Sequence, residues 1–251
     1  MENLPVEIIL KIFDSFEKEI DIINLITTSE NYENIFIQYF DSYKNRYNIN
    51  KLMYEASLHN NQYLVEFFIN QEADDFEHGM IGATKGGHKD LVDFFINKGA
   101  NNFTIGMLNA VLSGHKELVE FFIDKGVNDW NLGMKLAALG SHKDLVEIFI
   151  NKGANDFNEG MKMAASGGHK DLVKFFITKG ADDLNWGIRG AAAGGHKDLV
   201  EFFIEKGANN WNECMELAAI CGHKHLVRFF VDKGADYSII KELYDCYKDL
   251  I

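Results

Sequence analysis

Six histidines recur at a single interval. His88, His115, His142, His169, His196 and His223 each stand 27 residues after the last. Imidazoles at fixed spacing raise the question of a metal site. The interval answers it: equivalent positions on neighbouring helical units lie about 8–10 Å apart, whereas zinc needs its nitrogens about 2 Å away. Each histidine is therefore expected to start a helix and to bond near the glycine turn before it. His225 follows His223 by two residues, and such positions diverge on a helix. Cys214, Cys221 and Cys246 are odd in number and clustered late, so no disulfide framework is indicated, and Cys214 and Cys221 occupy positions where other copies carry glycine. No phosphate loop, nucleophile elbow or HExxH sequence occurs. The expectation is a protein that is not an enzyme, with no metal and no cofactor.

The histidines belong to a larger repeat. Leu-Val falls at 64, 91, 118, 145, 172, 199 and 226, and the block Gly-His-Lys-Asp-Leu-Val-Glu-Phe-Phe-Ile-Glu-Lys-Gly-Ala is intact from Gly195 to Ala208. Periods of this size mark solenoids and arrays, in which each unit buries its apolar face only against its neighbours. Each copy reads as two short helices. In one, residues 158–166 form helix one, Gly167-Gly168 turns the chain, and His169 to Lys179 forms helix two, with Leu172, Val173, Phe176 and Ile177 on one face. A strand would send the adjacent Phe175 and Phe176 to opposite faces.

Fixed positions supply the helix ends and the core. Asn50, Thr104, Asn131, Asn158, Asn185 and Asn212 are read as N-caps of helix one. Gly99, Gly126, Gly153, Gly180, Gly207 and Gly234 follow the lysine that ends helix two and suit a left-handed C′ residue. Alanines at 56, 83, 110, 137, 164, 191 and 218 let helices approach, with methionines beside them. Ile49, Phe76, Phe103, Trp130, Phe157, Leu184 and Trp211 read as an apolar ladder in the loop between repeats.

The 251 residues are 47% hydrophobic and carry a net charge of −13, which argues against nucleic-acid partners and an anionic membrane. No apolar run approaches the roughly 18 residues of a membrane span, and Met1-Glu2-Asn3-Leu4 lacks a basic signal-peptide region. A monomer in a reducing, cytoplasmic compartment is expected.

The repeated block resembles the second half of an ankyrin repeat, and the Ala-Ala pairs at 137, 164, 191 and 218 resemble the end of its first helix. Ankyrin repeats run to about 33 residues, and the stretch missing here matches their β-hairpin and its Thr-Pro-Leu-His turn. The resemblance therefore implies an all-α solenoid of seven short repeats over residues 49–236, without hairpins, ended by a capping helix at 237–251. A leucine-rich repeat would show a Leu-x-Leu strand signature, which is absent.

Residues 1–48 differ from the repeats. The chain's one proline, Pro5, opens a segment with Ile8, Ile9, Ile12, Phe13 and Phe16 on one face. A second apolar segment runs from Ile20 to Ile26, and a third places Tyr32, Ile35, Phe36, Tyr39, Phe40 and Tyr43 at helical spacing. Leu4-Pro5-x-Glu7-Ile8-Ile9-x-x-Ile12, Phe16, Ile22-Ile23 and Ser29 resemble an F-box, with Tyr32 where many members carry tryptophan. The resemblance implies a module that docks a substrate receptor on the Skp-type adaptor of a cullin–RING ubiquitin ligase, through Leu4, Pro5, Ile8, Ile9 and Ile12. The basic residues that often precede the tryptophan are missing, and a helical cap over the first repeat stays open as the alternative. An F-box before ankyrin repeats is similar to proteins of large DNA viruses of amoebae, which would place the chain in a host cytoplasm.

Helix two hardly changes between copies, but helix one varies at two positions. One carries His78, Ile105, Leu132, Glu159, Trp186 and Glu213; the other carries Ile81, Leu108, Lys135, Lys162, Arg189 and Glu216. Neutral drift on a solvated face is one explanation. The other is a recognition strip for a target protein, with Ile105, Leu132, Lys135, Lys162, Trp186 and Arg189 as its contacts. Trp186 leads because tryptophan is enriched among binding hot spots.

Overall fold

The computed structural model describes residues 4–16 and 18–241. Among them no strand occurs, and the chain is a succession of short helices. The N-terminal module contains α1 (Val6–Ser15), α2 (Glu19–Ile26) and α3 (Glu30–Gln38), then a 3₁₀ turn at Phe40–Ser42. Seven helix pairs follow: α4 (Ile49–Leu58) with α5 (Gln62–Asn70), α6 (Phe76–Gly86) with α7 (Lys89–Asn97), and α8 (Phe103–Ser113) with α9 (Lys116–Asp124). Then come α10 (Trp130–Leu139) with α11 (Lys143–Lys152), and α12 (Phe157–Ser166) with α13 (Lys170–Thr178). The last pairs are α14 (Leu184–Gly194) with α15 (Lys197–Glu205) and α16 (Trp211–Ile220) with α17 (Lys224–Asp232), before α18 (Ser238–Lys241). The helix-pair reading of the repeat is therefore correct to within a residue at most ends. Of the expected C-terminal cap, residues 242–251 lie outside the described residues, as does Cys246.

The chain forms two compact units, Met1–Val127 and Asn128–Ile251. Within each, helix two buries the same three side chains in every copy: Leu91, Val92 and Phe95 in α7, and Leu172, Val173 and Phe176 in α13. Helix one contributes a buried methionine and alanine, such as Met161 and Ala164. Helix one also carries a glycine where the phenylalanine of helix two presses hardest. A Cβ at Gly160 would stand 2.5 Å from the Phe176 ring, too close for any real contact.

The expected C′ glycines all take left-handed backbone; Gly153 has φ 112°. The amide of Ala154 then closes on Phe149 O at 2.9 Å, which satisfies an orphan carbonyl of α11 and buries the Ala154 methyl.

Two helix-start expectations are corrected. The N-caps of helix one lie two residues earlier than read, at Asn48, Asp75, Asn102, Asp129, Asp156, Asp183 and Asn210. Asp183, for example, accepts from the amide of Trp186 at 2.9 Å. Thr104 sits inside its helix. The asparagines bridge repeats instead: Asn158 Oδ1 accepts from the amides of Asp182 and Asp183, at 2.9 and 3.0 Å, and Asn131 does the same for Asn155 and Asp156. A loop that has lost its hairpin still needs acceptors for its amides, and these side chains supply them. The apolar ladder from Ile49 to Trp211 is likewise the first helical residue of each pair rather than part of the loop, half-buried in every copy.

In the module, the third segment stops being α-helical at Gln38, so Tyr39, Phe40 and Tyr43 belong to the 3₁₀ turn and its flanks. Pro5 is the residue before α1, with φ −55° and ψ 144°. The core joins Phe13 to Phe36 edge-on at 5.8 Å, and Tyr47 Oη donates to Phe13 O at 3.2 Å.

Candidate interaction surfaces

α1 presents two faces. Ile9 and Phe13 are fully buried, while Ile8 is 43% and Val6 37% exposed. Of the expected adaptor-contact residues, Pro5 and Ile8 are exposed, Leu4 and Ile12 are half-buried, and Ile9 points into the module. On its other side the module covers the first repeat. Phe36 meets Phe68 at 6.5 Å, Phe40 meets Phe67 at 5.2 Å, and Glu33 accepts from Asn61 Nδ2 at 3.1 Å.

The strip residues fall in both units. Ile105, in the first, is 38% exposed. In the second, Leu132 and Lys135 lie on α10, Lys162 on α12, and Trp186 and Arg189 on α14, all half-buried. α12 packs against both α10 and α14. Besides Gly194, where a Cβ would run into Ser166 O, α14 comes close to α12 at Gly190, where a Cβ would run into Lys162 O. Glycine at that point lets α14 lie against the α12 backbone. Trp186 is thereby brought under two cations: Lys162 Nζ stands 4.1 Å and the Arg189 guanidinium carbon 4.5 Å from the ring. The indole N–H donates to Glu159 Oε1 at 2.8 Å. Glu159 also pairs with Lys162 at 3.6 Å, and Arg189 pairs with Glu213 at 3.2 Å. Lys162, Trp186 and Arg189 thus form one cluster, held by the carboxylates of Glu159 and Glu213. Lys135 has no ion pair among the described residues.

The histidines resolve as structure. His169 Nε2 lies 2.9 Å from Leu139 O and His196 Nε2 3.1 Å from Ser166 O, each bonding the end of helix one in the preceding repeat rather than its own glycine turn. Among the described residues no group of three or more His, Cys, Asp or Glu side chains is placed to hold a metal ion. Cys214 is buried in the helix-one glycine position, and burial pushes its thiol pKa up to about 12; Cys221 is exposed. No helix among the described residues is long and apolar enough to cross a membrane.

Compared with known families, residues 161–241 match the model described as ankyrin repeats (3 copies). No curated protein matches the chain. The matched stretch runs from within α12 through α18 and includes Lys162, Trp186 and Arg189. Ankyrin repeats are thus present over residues 161–241, in a chain whose described residues form repeated helix pairs and no strand, and they support a protein–protein interaction scaffold.

Proposed function

We propose that this scaffold is a substrate receptor, in which the F-box-like module engages the Skp-type adaptor of a cullin–RING ligase while the helix-one face holds the protein to be modified. The observation that carries the reading is the outward apolar face of α1: Val6 and Ile8 remain exposed after the module's core and its cover over the first repeat are complete. A segment serving only as a cap has no need of that face. The resemblance of Leu4-Pro5, Ile8-Ile9 and Ile12 to an F-box supports this reading, and a cytoplasmic site of action would follow from it.

The plain scaffold is the second reading, and the packing of Phe36 and Phe40 against Phe68 and Phe67 favours it. A binding assay between the purified full-length chain and the Skp-type adaptor separates the two. The receptor reading expects binding, and Ile8→Glu should abolish it with little change in the unfolding midpoint, because Ile8 is exposed. A wild-type chain that ignores the adaptor leaves the module as a cap.

A further inference from the structure

α5 is the second helix of the first repeat, and both of its ends depart from those of the later copies. Just after it, Glu72 holds left-handed backbone at φ 75°, where all six later copies have glycine. Just before it, Asn60 does the same at φ 58°. Gly87, Gly114, Gly168, Gly195 and Gly222 stand at that position in other copies, and Ser141 alone shares the departure. A Cβ makes left-handed backbone costly, more so for glutamate than for asparagine.

The ties of α5 differ as well. Asn61 replaces the histidine of the later copies, and its Nδ2 donates to Glu33 of the N-terminal module at 3.1 Å. Gln62 replaces their lysine and bonds Glu66 within the helix at 2.8 Å, whereas Lys89 lies over the Phe121 ring of the next repeat at 5.8 Å. The aromatic packing of α5 is completed from the module: Phe36 and Phe40 stand 6.5 and 5.9 Å from Phe68, and Phe40 stands 5.2 Å from Phe67. α4, by contrast, is held from the second repeat. Asn50 Oδ1 accepts from the amides of Asp74 and Asp75 at 3.0 and 3.1 Å, and His88 Nε2 lies 2.9 Å from Leu58 O.

We propose that α5 is a conditionally ordered helix: the module holds it against two strained ends, and it opens locally when the module lets go. Local opening is governed by how few ties a segment has and how much strain it carries. By linkage, whatever binds the docked module also steadies α5, and whatever binds folded α5 steadies the module. The coupling holds whether or not that ligand is the Skp-type adaptor, so its failure would leave the receptor reading where it stands.

The test is amide hydrogen exchange of the full chain, read residue by residue by nuclear magnetic resonance. Residues 67–69, 94–96 and 121–123 are all Phe-Phe-Ile, so α5, α7 and α9 compare like with like. In the wild type, the amides of Phe68 and Ile69 should exchange about tenfold faster, or more, than those of Phe95 and Ile96. Asn60→Gly combined with Glu72→Gly relieves the strain and should slow exchange in α5 by about threefold or more, with α7 unchanged. Phe40→Ala loosens the module and should speed exchange in α5 by about tenfold or more while α9 keeps its protection; the same contrast is expected if this change unfolds the module outright. The proposal is overturned if α5 is as protected as α7 in the wild type or if the two glycines leave its exchange unchanged. It is also overturned if Phe40→Ala leaves α5 protected, or strips α9 as fully as α5, since the opening would then not be local.

Discussion

The two helices of one repeat divide their work differently. Helix two is nearly the same in every copy, on its solvent side as well as in its core. Phe175, Phe202 and Phe229 are only half-buried, yet each carries two lysines over its ring: Lys143 and Lys179 at 5.3 Å from Phe175, Lys170 and Lys206 at 5.5 and 5.2 Å from Phe202. One lysine comes from the same repeat and one from the copy before. Helix one is constant where Met161 and Ala164 face inward but changes at the two half-buried positions beside them. Solvent exposure alone therefore does not release a position to vary. Helix-two surface residues are tied to the next copy, whereas the variable positions of helix one are tied to it only where a particular pair, such as Trp186 and Glu159, happens to meet. On the proposed reading, that contrast is what suits helix one to display a binding surface.

The strongest way to break the contrast is to strike the invariant side. Phe176→Ala empties a fully buried site and should cost about 3–5 kcal/mol, measured by chemical denaturation. A cost below about 1 kcal/mol would mean that the helix-two phenylalanines do not hold the stack. Gly160→Ala attacks the same contact from helix one. With its Cβ placed 2.5 Å from the Phe176 ring, it should cost about 1–3 kcal/mol by overpacking. Combined with Phe176→Leu the penalty should shrink, because the two residues share one space; strict additivity would deny that they do. Gly153→Val is milder. Nothing lies within 4 Å of the added Cβ, so the whole cost is left-handed backbone strain, about 1–2 kcal/mol. An unchanged midpoint would show that the helix end rearranges freely.

How much of this was legible in the sequence depends on how far apart the cooperating residues lie. The helix pairs, the buried Leu-Val-Phe set and the Gly153 class of C′ residues follow from a period that repeats seven times. The N-cap was misplaced because each repeat offers two short polar side chains, Asp156 and Asn158 for instance, that can both cap. Only the fold shows that the second faces the next loop. The close approach at Gly190 recurs at Gly82, against Tyr54 O, but Glu55, Asn109, Leu136, Met163 and Leu217 stand at the other equivalent positions, so no sevenfold pattern marks it. The strip was recognisable as variation, with Glu159 and Glu213 among its residues, but their pairing with the cations was not, since Glu213 reaches Arg189 from a different repeat.

The smallest stability effect belongs to the display side, and it sharpens the comparison most. Trp186→Ala removes a half-buried ring, one hydrogen bond to Glu159 and two cation contacts, all near solvent; we expect a loss of about 1 kcal/mol or less in folding stability. For a target captured by the full chain, the same change should cost about 2 kcal/mol, some thirtyfold in affinity, if the ring is a hot spot. The paired carboxylates predict the sign of a second variant. An acidic segment docking on Lys162 and Arg189 must compete with Glu159 and Glu213, so Glu213→Gln frees Arg189 and should tighten capture, while Lys162→Glu should slow association and reduce its dependence on salt. Stability measurements and target affinity should therefore separate on this face and coincide on helix two. If Trp186→Ala instead unfolds the repeats as Phe176→Ala does, the indole belongs to the core, and the display surface must lie on the loops.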